Sequence, residues 1–521
     1  MTTRKVERLR PILAVPAALG QGGLSSMQDL STTPGGLRLS EIVPQGRWHG
    51  GKEVRVSSCC MQPEQCQPGD MFVARDDDEL QTQESISMAL DRGATSILSE
   101  RIFPNPVPQF IVGDVREAFG KVCHALSGNP CQAMRTIGIT GSFGKSVTQQ
   151  LLLGIFAEAK VHTSSMHATG PAPTTRSPRT LDIQPSPAAI ASWLAKSRNH
   201  GATHALLEAS SRSLATRQFS GMSLDAAVIT NIRSKHIEWH GSLANYHRAK
   251  ARILQCLKPG GFAVMNTDDP ASRALLAKLD LPVLTFGLKN PAELSATLVE
   301  RHPSEQTFLL DVGDESIAIR TRIIGDAHIY NCLAAAGVAL TLGFEPSQIV
   351  RGIESIKSIR TKLQRIECGQ EFGTFIDASY SPEALGTALK TLQEVTDGRL
   401  RVVLGVDHRV SGEARARTGQ LLERFTDECV LTSSRFDRKM ALNSAHEILD
   451  GFDRPSQGHL MPDRAKAICW ALSQAEPGDI VLLAGGRPSP GPDQVQLSDE
   501  DITRYWLQHV DDIGHCPWNP A

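Results

Sequence analysis

The sequence predicts an α/β protein built from parallel sheets with crossover helices, preceded by a smaller α/β segment. Three observations support this prediction. Apolar, strand-like runs recur along the chain, helical segments separate most of them, and the pattern starts afresh in three successive blocks. At 521 residues the chain is too long for one hydrophobic core, so two to four domains are expected.

The first block is expected at residues 36–133, behind a flexible tail at residues 1–35 that is rich in Gly, Ser, Thr and Pro. Pro11 and Pro16 interrupt the only apolar run near the N-terminus, so we expect no signal peptide. Within the block, Gly69–Ala74 and Ala94–Leu98 are predicted strands with a helix between them.

The second block, residues 134–360, carries the clearest parallel-sheet pattern. Its predicted strands are "TIGIT", "HALLEAS", "DAAVITNI", "GFAVMNT" and "PVLTFG", and a helical stretch from His328 to Lys357 closes it. The third block, residues 361–521, shows the same pattern, and its predicted strands are "GTFIDAS", "LRVVLGV", "ECVLTSS" and "DIVLLAGG". It is predicted to form a second, smaller doubly wound domain.

Composition excludes several classes of function. A net charge of -2 with 21% charged residues gives no sign of a nucleic-acid-binding surface. No apolar stretch approaches the roughly 20 residues of a membrane helix. The 11 cysteines are scattered without a C-x-x-C pair, which favours reduced thiols in a cytoplasmic protein over disulfides or a structural zinc site.

The stretch "TIGITGSFGKSVTQQ" (136–150) predicts a phosphate-binding turn between a buried strand and a helix. Gly141 and Gly144 would fall at the helix N-terminus, where free N–H groups and the helix dipole favour phosphate. Lys145 would reach the outer phosphates and Ser146 would ligate Mg²⁺. The alternative is a glycine-rich turn with an incidental lysine, because the leading glycine of the usual loop is missing.

Downstream polar residues strengthen the nucleotide hypothesis. Glu208 ends a predicted strand on the side where parallel sheets bind ligands, where it would serve as a metal ligand or as a simple surface cap. His236 and His240 have the i, i+4 spacing of a zinc pair, but Glu238 is misplaced for a metalloprotease and no third ligand is obvious. Lys250, taken alone, would be an ordinary helical surface lysine.

Seven ordered segments resemble the Mur ligases, most closely those that add the third residue to a UDP-N-acetylmuramoyl-dipeptide. The family's Thr-Gly-Thr-Asn-Gly-Lys-Thr/Ser loop resembles Thr140–Ser146, which accounts for the displaced glycine. The other segments are "QPGDMFVA", "EASSRSL", "TNIRSKHIEWHG" with "YHRAK", "HIYNCLAAAGVAL", "IDASYSPEAL" and "AEPGDIVLLAG". The spacing from Glu208 to His236 to Lys250 also agrees with the family.

The resemblance implies a three-domain architecture: an N-terminal uridine-binding domain, a central ATPase-like parallel-sheet domain and a C-terminal Rossmann-like domain. It also implies a cytoplasmic, ATP-dependent ligase of peptidoglycan synthesis. Such an enzyme is expected to be a monomer and to have no nucleic-acid or membrane partner. The substrates would be a UDP-N-acetylmuramoyl-peptide and a free amino acid. An acyl phosphate would form on the peptide's carboxylate before the amine attacks.

The family's roles carry over residue by residue. Gly141, Ser142, Gly144, Lys145 and Ser146 would hold the phosphates of ATP. Ser146 would bind one Mg²⁺, and Glu208, His236 and a carbamylated Lys250 would bind a second; catalysis would rest on Lys145, Lys250, Glu208 and His236. Asn331, Lys362 and Asp377 would contact the adenosine, whereas the UDP-sugar peptide would be held by Thr174, Thr175, Ser210, Arg217 and Gln218.

The sequence departs from the family at several of these places. Phe143 replaces a small polar loop residue, Lys235 an Asp, Tyr380 a His and Lys362 an Arg. The stretch that selects diaminopimelate in the family reads "LTSSRFD" at 431–437, and its later Gly-Lys-Gly-His-Glu reads "GGRPSP". Two alternatives therefore stay open: a non-catalytic nucleotide- or UDP-sugar-binding relative, and a ligase acting on folate or polyglutamate.

Overall fold

The computed structural model describes residues 36–75, 78–167, 170–171, 185–233, 237–379, 381–407, 410–433, 438–454, 457–486, 489–490 and 496–509. The chain forms two compact units. The first runs to Ser295 and includes Asp311–Glu315 and Tyr330–Gly352. The second comprises Ala296–Leu310, Ser316–Ile329 and the residues from Ile353 onward.

A five-stranded sheet opens the first unit. Its order is Arg47–His49, Gln109–Ile111, Ser96–Ser99, Met71–Val73 and Cys59–Cys60, and only the outer strand Arg47–His49 is antiparallel to its neighbour. The helices of this region are Leu39–Ile42, Glu79–Asp91 and Val115–Leu126. It also contains 3₁₀ turns at Pro63–Gln65 and Pro130–Gln132. The short strands Leu37–Arg38 and Arg55–Val56 pair with each other.

Local capping explains where the two longer helices of this region begin. Asp78 accepts a hydrogen bond from the Gln81 backbone N–H, and Asp114 accepts one from Glu117. Each carboxylate satisfies a donor of the first turn and complements the helix dipole. The strands and the helix predicted between Gly69 and Leu98 lie where the sequence placed them.

A larger sheet follows in the same unit. Its strands lie in the order Gly170–Pro171, Thr163–His167, His204–Glu208, Arg135–Thr140, Leu224–Ile229, Leu257–Asn266 and Val283–Gly287. All are parallel except Gly170–Pro171. The inner strands are apolar on both faces because helices cover the sheet on both sides.

The helices around this sheet are Lys145–Glu158, Pro187–Asn199, Ser211–Ala215, Ile237–His240, Leu243–Ala251 and Pro270–Leu276, with a 3₁₀ segment at Arg252–Cys256. The helical stretch predicted from His328 to Lys357 is two helices, Asp326–Thr341 and Pro346–Glu354. Gly343, with φ of +87°, lies between them, and this left-handed conformation ends the first helix.

The second unit contains a six-stranded sheet, as the third sequence block predicts. Its order is Gln364–Arg365, Gly373–Asp377, Ile480–Ala484, Leu400–Val406, Glu428–Ser433 and Gly458–Leu460, parallel except at the Gln364–Arg365 edge. Its helices are Pro382–Gln393, Gly412–Phe425, Arg438–Leu449, Arg464–Ser473 and Asp499–Gln508. Ser489–Pro490 pairs with Gln496–Leu497.

Three consecutive strands that the sequence did not reveal, Leu294–His302, Glu305–Val312 and Glu315–Thr321, lie side by side in one sheet. Leu294 and Ser295, which still belong to the first unit, pair with Phe286 and Gly287. Among the described residues, no helix has both the length and the apolar character needed to cross a membrane.

Candidate functional site

The turn between the strand Arg135–Thr140 and the helix Lys145–Glu158 requires glycine at two positions. Gly144 has a φ of +86°, and a Cβ there would lie 2.2 Å from Asn331 Oδ1. At Gly141, φ is +157° and a Cβ would lie 1.8 Å from Thr230 Oγ1. The chain therefore passes close to its neighbours before the helix begins, and the N–H groups of the first helical turn point toward the loop.

The strand Leu224–Ile229 continues into two residues that hold this loop by its backbone. The Phe143 N–H donates to Asn231 Oδ1 (3.0 Å), Asn231 Nδ2 donates to the Phe143 carbonyl (3.1 Å), and the Ser142 N–H donates to the Asn231 carbonyl (3.0 Å). Thr230 Oγ1 also donates to the Phe143 carbonyl. Only backbone atoms of Phe143 take part, so this support tolerates the family's small polar residue being replaced by Phe.

The Ser142 side chain is part of the same support. Its Oγ donates to the Arg233 carbonyl (2.9 Å), accepts from the Arg233 N–H (2.8 Å) and lies 2.6 Å from the Tyr246 hydroxyl. Burial raises the pKa of Tyr246 to about 12, so the phenol stays protonated and able to donate. The Ser142 hydroxyl thus fixes the shape of the loop.

Two lysine amines converge on the loop. Lys145 Nζ donates to the Gly141 carbonyl at 3.0 Å, and Lys250 Nζ donates to the same oxygen at 2.8 Å. Lys250 comes from the helix Leu243–Ala251, is only 1% exposed and has its amine 5.0 Å from the centre of the Tyr246 ring. The amine is therefore directed at the loop and not at bulk solvent, and two positive groups gather where a phosphate chain would lie.

Glu208, at the carboxyl end of its strand, supplies the negative charge of the site. It is 5% exposed, and its Oε1 lies 3.0 Å from His167 Nδ1. Burial raises the pKa of Glu208, but the hydrogen bond with His167, the charge of Lys145 and a hydrogen bond with Ser146 outweigh it and leave the pKa lowered. The carboxylate is ionised beside Lys145 and Ser146, so the three predicted residues lie together.

His167 is a site residue that the sequence analysis missed. The strand Thr163–His167 runs parallel to His204–Glu208 with Met166 opposite Leu207, which brings His167 to the same edge as Glu208. The hydrogen bond to Glu208 raises the pKa of His167. A polar residue at the carboxyl end of a strand was the available signal, but the strand "TSSMH" is too polar to be recognised from its pattern.

Asn331 also lies beside the loop. It is buried, its Oδ1 accepts from Thr148 Oγ1 at 3.4 Å, and the same atom faces Gly144. A residue 187 positions from Gly144 in the chain thus reaches the start of the phosphate-loop helix, where the sequence predicted a nucleotide contact.

The residues predicted to hold the peptide substrate have protein partners. Ser210 Oγ caps the helix Ser211–Ala215 by accepting from the Ser213 N–H (2.9 Å). Arg217 forms ion pairs with Asp114 (3.1 Å) and Glu117 (3.7 Å) on the helix Val115–Leu126 and its cap. Gln218 is different, since its buried Oε1 has no hydrogen-bond partner among the described residues.

In the second unit, Asp377 ends its strand with both oxygens in use. Oδ2 accepts from the Leu363 N–H (2.9 Å) and Oδ1 from the Ser379 N–H (2.8 Å). Lys362 is exposed between Thr361 and Leu363, which both have positive φ. A cavity of about 190 Å³ adjoins Asp377 and is lined by Arg360, Thr361, Gln364, Ile376, Asp377, Ala378, Gly486, Ser498, Asp499 and Glu500.

Several predicted positions, namely Thr174, Thr175, Lys235, His236, Tyr380 and residues 434–437, lie outside the described residues. His240, the possible zinc partner of His236, is buried, and its Nε2 lies 3.0 Å from Ser211 Oγ. Within the part of the chain that the structure describes, the chemistry is that of a polyphosphate site: backbone N–H groups, two amines, a serine hydroxyl and an ionised carboxylate.

Comparison with known proteins gives consistent matches. Residues 139–339 match the Mur ligase middle domain, and residues 363–487 match the Mur ligase glutamate ligase domain. The UDP-N-acetylmuramoyl-L-alanyl-D-glutamate–2,6-diaminopimelate ligase of Geobacillus thermodenitrificans is 26% identical over 468 residues, 88% of this chain and 95% of that protein. The protein of the same name from Streptomyces coelicolor is 29% identical over 443 residues, 82% of this chain and 86% of that protein.

A solved structure of a ligase with the same name has a similar fold. Its TM-score is 0.69 at 24% identity, with 91% of this chain and 99% of the other covered.

Proposed function

Because the chain belongs to the Mur ligase family, to which two domain matches assign more than half of its residues, we propose that it is an ATP-dependent ligase of peptidoglycan precursor synthesis. It would join the terminal carboxylate of a UDP-N-acetylmuramoyl-peptide to the amine of an amino acid. The observation that carries the proposal is the meeting of Lys145, Ser146 and an ionised Glu208 at the phosphate loop.

The reaction has two chemical steps. A carboxylate oxygen of the peptide attacks the γ-phosphorus of ATP, ADP leaves, and an acyl phosphate forms. The amine nitrogen then attacks the acyl carbon, and inorganic phosphate leaves with the former carboxylate oxygen as the nitrogen loses a proton. Negative charge on the transferred phosphoryl group must be stabilised in the first step, which calls for fixed positive charge and oriented N–H groups.

Lys145 and the loop meet that requirement. Lys145 already points its amine into the loop, and Gly141 and Gly144 let the backbone approach a phosphate without side-chain obstruction. Since the loop is fixed by Asn231, Thr230 and Tyr246 before any ligand binds, little reorganisation is needed when the phosphoryl group moves.

Ser146 and Glu208 fit Mg²⁺, which prefers oxygen ligands and retains waters of its own. When bound, Mg²⁺ would neutralise phosphate charge and align the two reacting oxygens. Glu208 is suited to that role because His167 and Ser146 keep its carboxylate ionised and oriented. On the family's pattern, we assign Ser146 to one Mg²⁺ and Glu208 with His236 to a second.

We further propose that Lys250 acts as a carbamate. Its amine shares the Gly141 carbonyl with Lys145, so carbamylation would replace one of two neighbouring positive charges with an anionic oxygen ligand for Mg²⁺. Its near-complete burial protects such a group from bulk water.

The remaining contacts are assigned on the family's pattern. Asn331 and Asp377 would contact adenine and ribose, and Lys362 would belong to the same ATP-binding set. The UDP-sugar peptide would meet Thr174, Thr175, Ser210, Arg217 and Gln218. We assign uridine binding to residues 36–133, ATP binding to 134–360 and the Rossmann-like domain to 361–521, after a tail at 1–35. The enzyme would act as a monomer in the cytoplasm.

The proposal is tested by a phosphate-release screen of the full chain with ATP, Mg²⁺, UDP-N-acetylmuramoyl-dipeptide and each of a panel of amines. We expect release to require peptide and one class of amine together. ATP binding without release for any amine would favour the non-catalytic alternative. Phosphate release with a folate or polyglutamate acceptor, and none with the UDP-linked peptide, would favour the alternative of a folate or polyglutamate ligase.

A further inference from the structure

A second group of ligand atoms lies in the five-stranded sheet of the first unit. Cys60 Sγ, Cys66 Sγ and a carboxylate oxygen of Asp70 are all within 4.8 Å of one another. They come from three different pieces of chain: the strand Cys59–Cys60, the residue after the turn Pro63–Gln65, and the residue before the strand Met71–Val73. None of them belongs to the phosphate site.

The group is shielded from water yet has an opening. Cys66 is 2% and Asp70 6% exposed, whereas Cys60 is half-buried. Three possible ligand atoms thus lie together beside the apolar side chains that pack around Cys60 and Cys66. An ion would reach them past the half-buried Cys60.

Two hydrogen bonds orient the Asp70 carboxylate, in the way that neighbouring groups orient carboxylates that bind metal ions. Its Oδ2 accepts from the Gln67 N–H at 2.8 Å, and its Oδ1 accepts from the Ser58 hydroxyl. A carboxylate offers about four lone-pair positions, so about two remain for another partner. Hydrogen bonds of this kind fix the direction of a ligating oxygen and are common around metal sites.

The dimensions suit a small thiophilic cation. Tetrahedral zinc binds sulfur at about 2.3 Å and carboxylate oxygen at about 2.0–2.2 Å, which places its ligand atoms about 3.5–3.8 Å apart. The three atoms here lie within 4.8 Å of one another, so a contraction of about 1.3 Å at most would complete the geometry. Paired thiolates select zinc-like ions over Mg²⁺, which prefers oxygen.

We propose that Cys60, Cys66 and Asp70 bind one divalent zinc-class cation, with water as the fourth ligand. The ion ties the strands Cys59–Cys60 and Met71–Val73 together at the turn that joins them. The C-x5-C-x3-D spacing lacks the close cysteine pair of familiar zinc sequences, which is why the sequence analysis argued against a structural zinc site.

The test is a Co²⁺ titration of the full, tag-free, reduced chain in excess Mg²⁺, read by the sulfur-to-cobalt charge-transfer band and the visible bands of tetrahedral Co²⁺. We expect one Co²⁺ per chain, displaced by Zn²⁺. Cys60→Ser and Asp70→Asn should each weaken binding at least about tenfold. Cys429→Ser, a buried cysteine of the second unit, is the matched control and should bind as the wild type does.

A third variant distinguishes the loss of a metal ligand from the loss of the fold. Cys60→His keeps a ligating atom, so it should retain the metal while the charge-transfer band falls by about half because one of two sulfur ligands is gone. The absence of a charge-transfer band in the wild type would overturn the proposal, as would unchanged binding in Cys60→Ser. A Cys60–Cys66 disulfide in protein isolated in air, with no metal binding after reduction, would assign the pair to redox chemistry instead.

Discussion

The strand ends of the first unit and the cavity of the second use their charged side chains in different ways. Around the phosphate loop, Lys145 and Lys250 converge on one carbonyl and Glu208 is ionised next to Lys145. In the cavity, Asp377 accepts two backbone N–H groups, and Asp499 forms a bidentate pair with the buried Arg464 (2.8 and 2.7 Å).

The difference lies in what the charged groups contact: a loop carbonyl and a histidine in the first unit, and backbone N–H groups and a buried arginine in the second. The first unit keeps Lys145, Glu208 and Lys250 of the family's pattern although Lys235 replaces an Asp, and other residues hold its loop in place. In the second unit, the carboxylates near the cavity already stabilise backbone and helix, and the family's amine-selecting residues are replaced. Phosphoryl transfer is therefore better supported than the choice of amine.

The largest expected effect is at the phosphate loop. Lys145→Ala should reduce phosphate release to background while the protein stays folded, because it removes a charge that acts on the transferred phosphoryl group. Lys196→Ala, an exposed lysine on the helix Pro187–Asn199, is the control and should keep wild-type turnover. Normal turnover in Lys145→Ala would remove the loop from the ATP site.

Lys250 tests whether the buried amine is part of the chemistry. Both Lys250→Ala and Lys250→Arg should lose activity by about 100-fold or more, since neither can carry a carbamate and the loss of one stabilising group costs about that much. Acetate or another short carboxylate should restore part of the activity of Lys250→Ala only. An active Lys250→Arg enzyme would show that a positive charge is all that this position supplies.

The specificity for the amine should differ from the specificity that the names of the similar diaminopimelate ligases indicate. Free meso-diaminopimelate should be turned over at least about tenfold less efficiently than the best amine, because "LTSSRFD" lacks the residues that select it, and a lost polar contact of this kind costs a factor of ten or more. Relative kcat/KM values across the amine panel measure this. Selective use of diaminopimelate would mean that other residues of the second unit recognise it.

The smallest effect concerns His167 and protein stability in the absence of metal. Because its pKa is raised, His167 stabilises the fold at pH values below 6.5, the ordinary pKa of histidine, and this contribution is lost as the pH rises through the raised pKa. Because its pKa is lowered, Glu208 stabilises the fold at pH values above 4.5, the ordinary pKa of glutamate. This contribution is lost as the pH falls through the lowered pKa. The pair should therefore contribute most in mildly acidic solution.

Chemical denaturation in EDTA should show this window. His167→Gln should be less stable than the wild type by about 0.5–1 kcal/mol near pH 5.5, and the difference should shrink near pH 8.5. His49→Gln, the same substitution at an exposed histidine of the five-stranded sheet, is the control variant. A destabilisation of His167→Gln that does not change with pH would assign His167 to packing alone.

The amino-acid sequence by itself determined the parallel α/β fold and the core of the phosphate site. Alternation of strand-like and helical runs, the glycines at 141 and 144, and the positions of Lys145, Ser146 and Glu208 relative to strand ends are local features. Local features can be read from sequence because hydrogen bonding within an element and burial of one strand set them.

Tertiary structure alone decided which distant groups meet. Strand register brings His167 to Glu208, helix packing brings Lys250 to Gly141 across 109 residues, and Arg217 pairs with Asp114 across 103 residues. The convergence of Cys60, Cys66 and Asp70 is of the same kind. Contacts like these depend on sheet order and close packing between segments far apart in the chain, and no local periodicity encodes either.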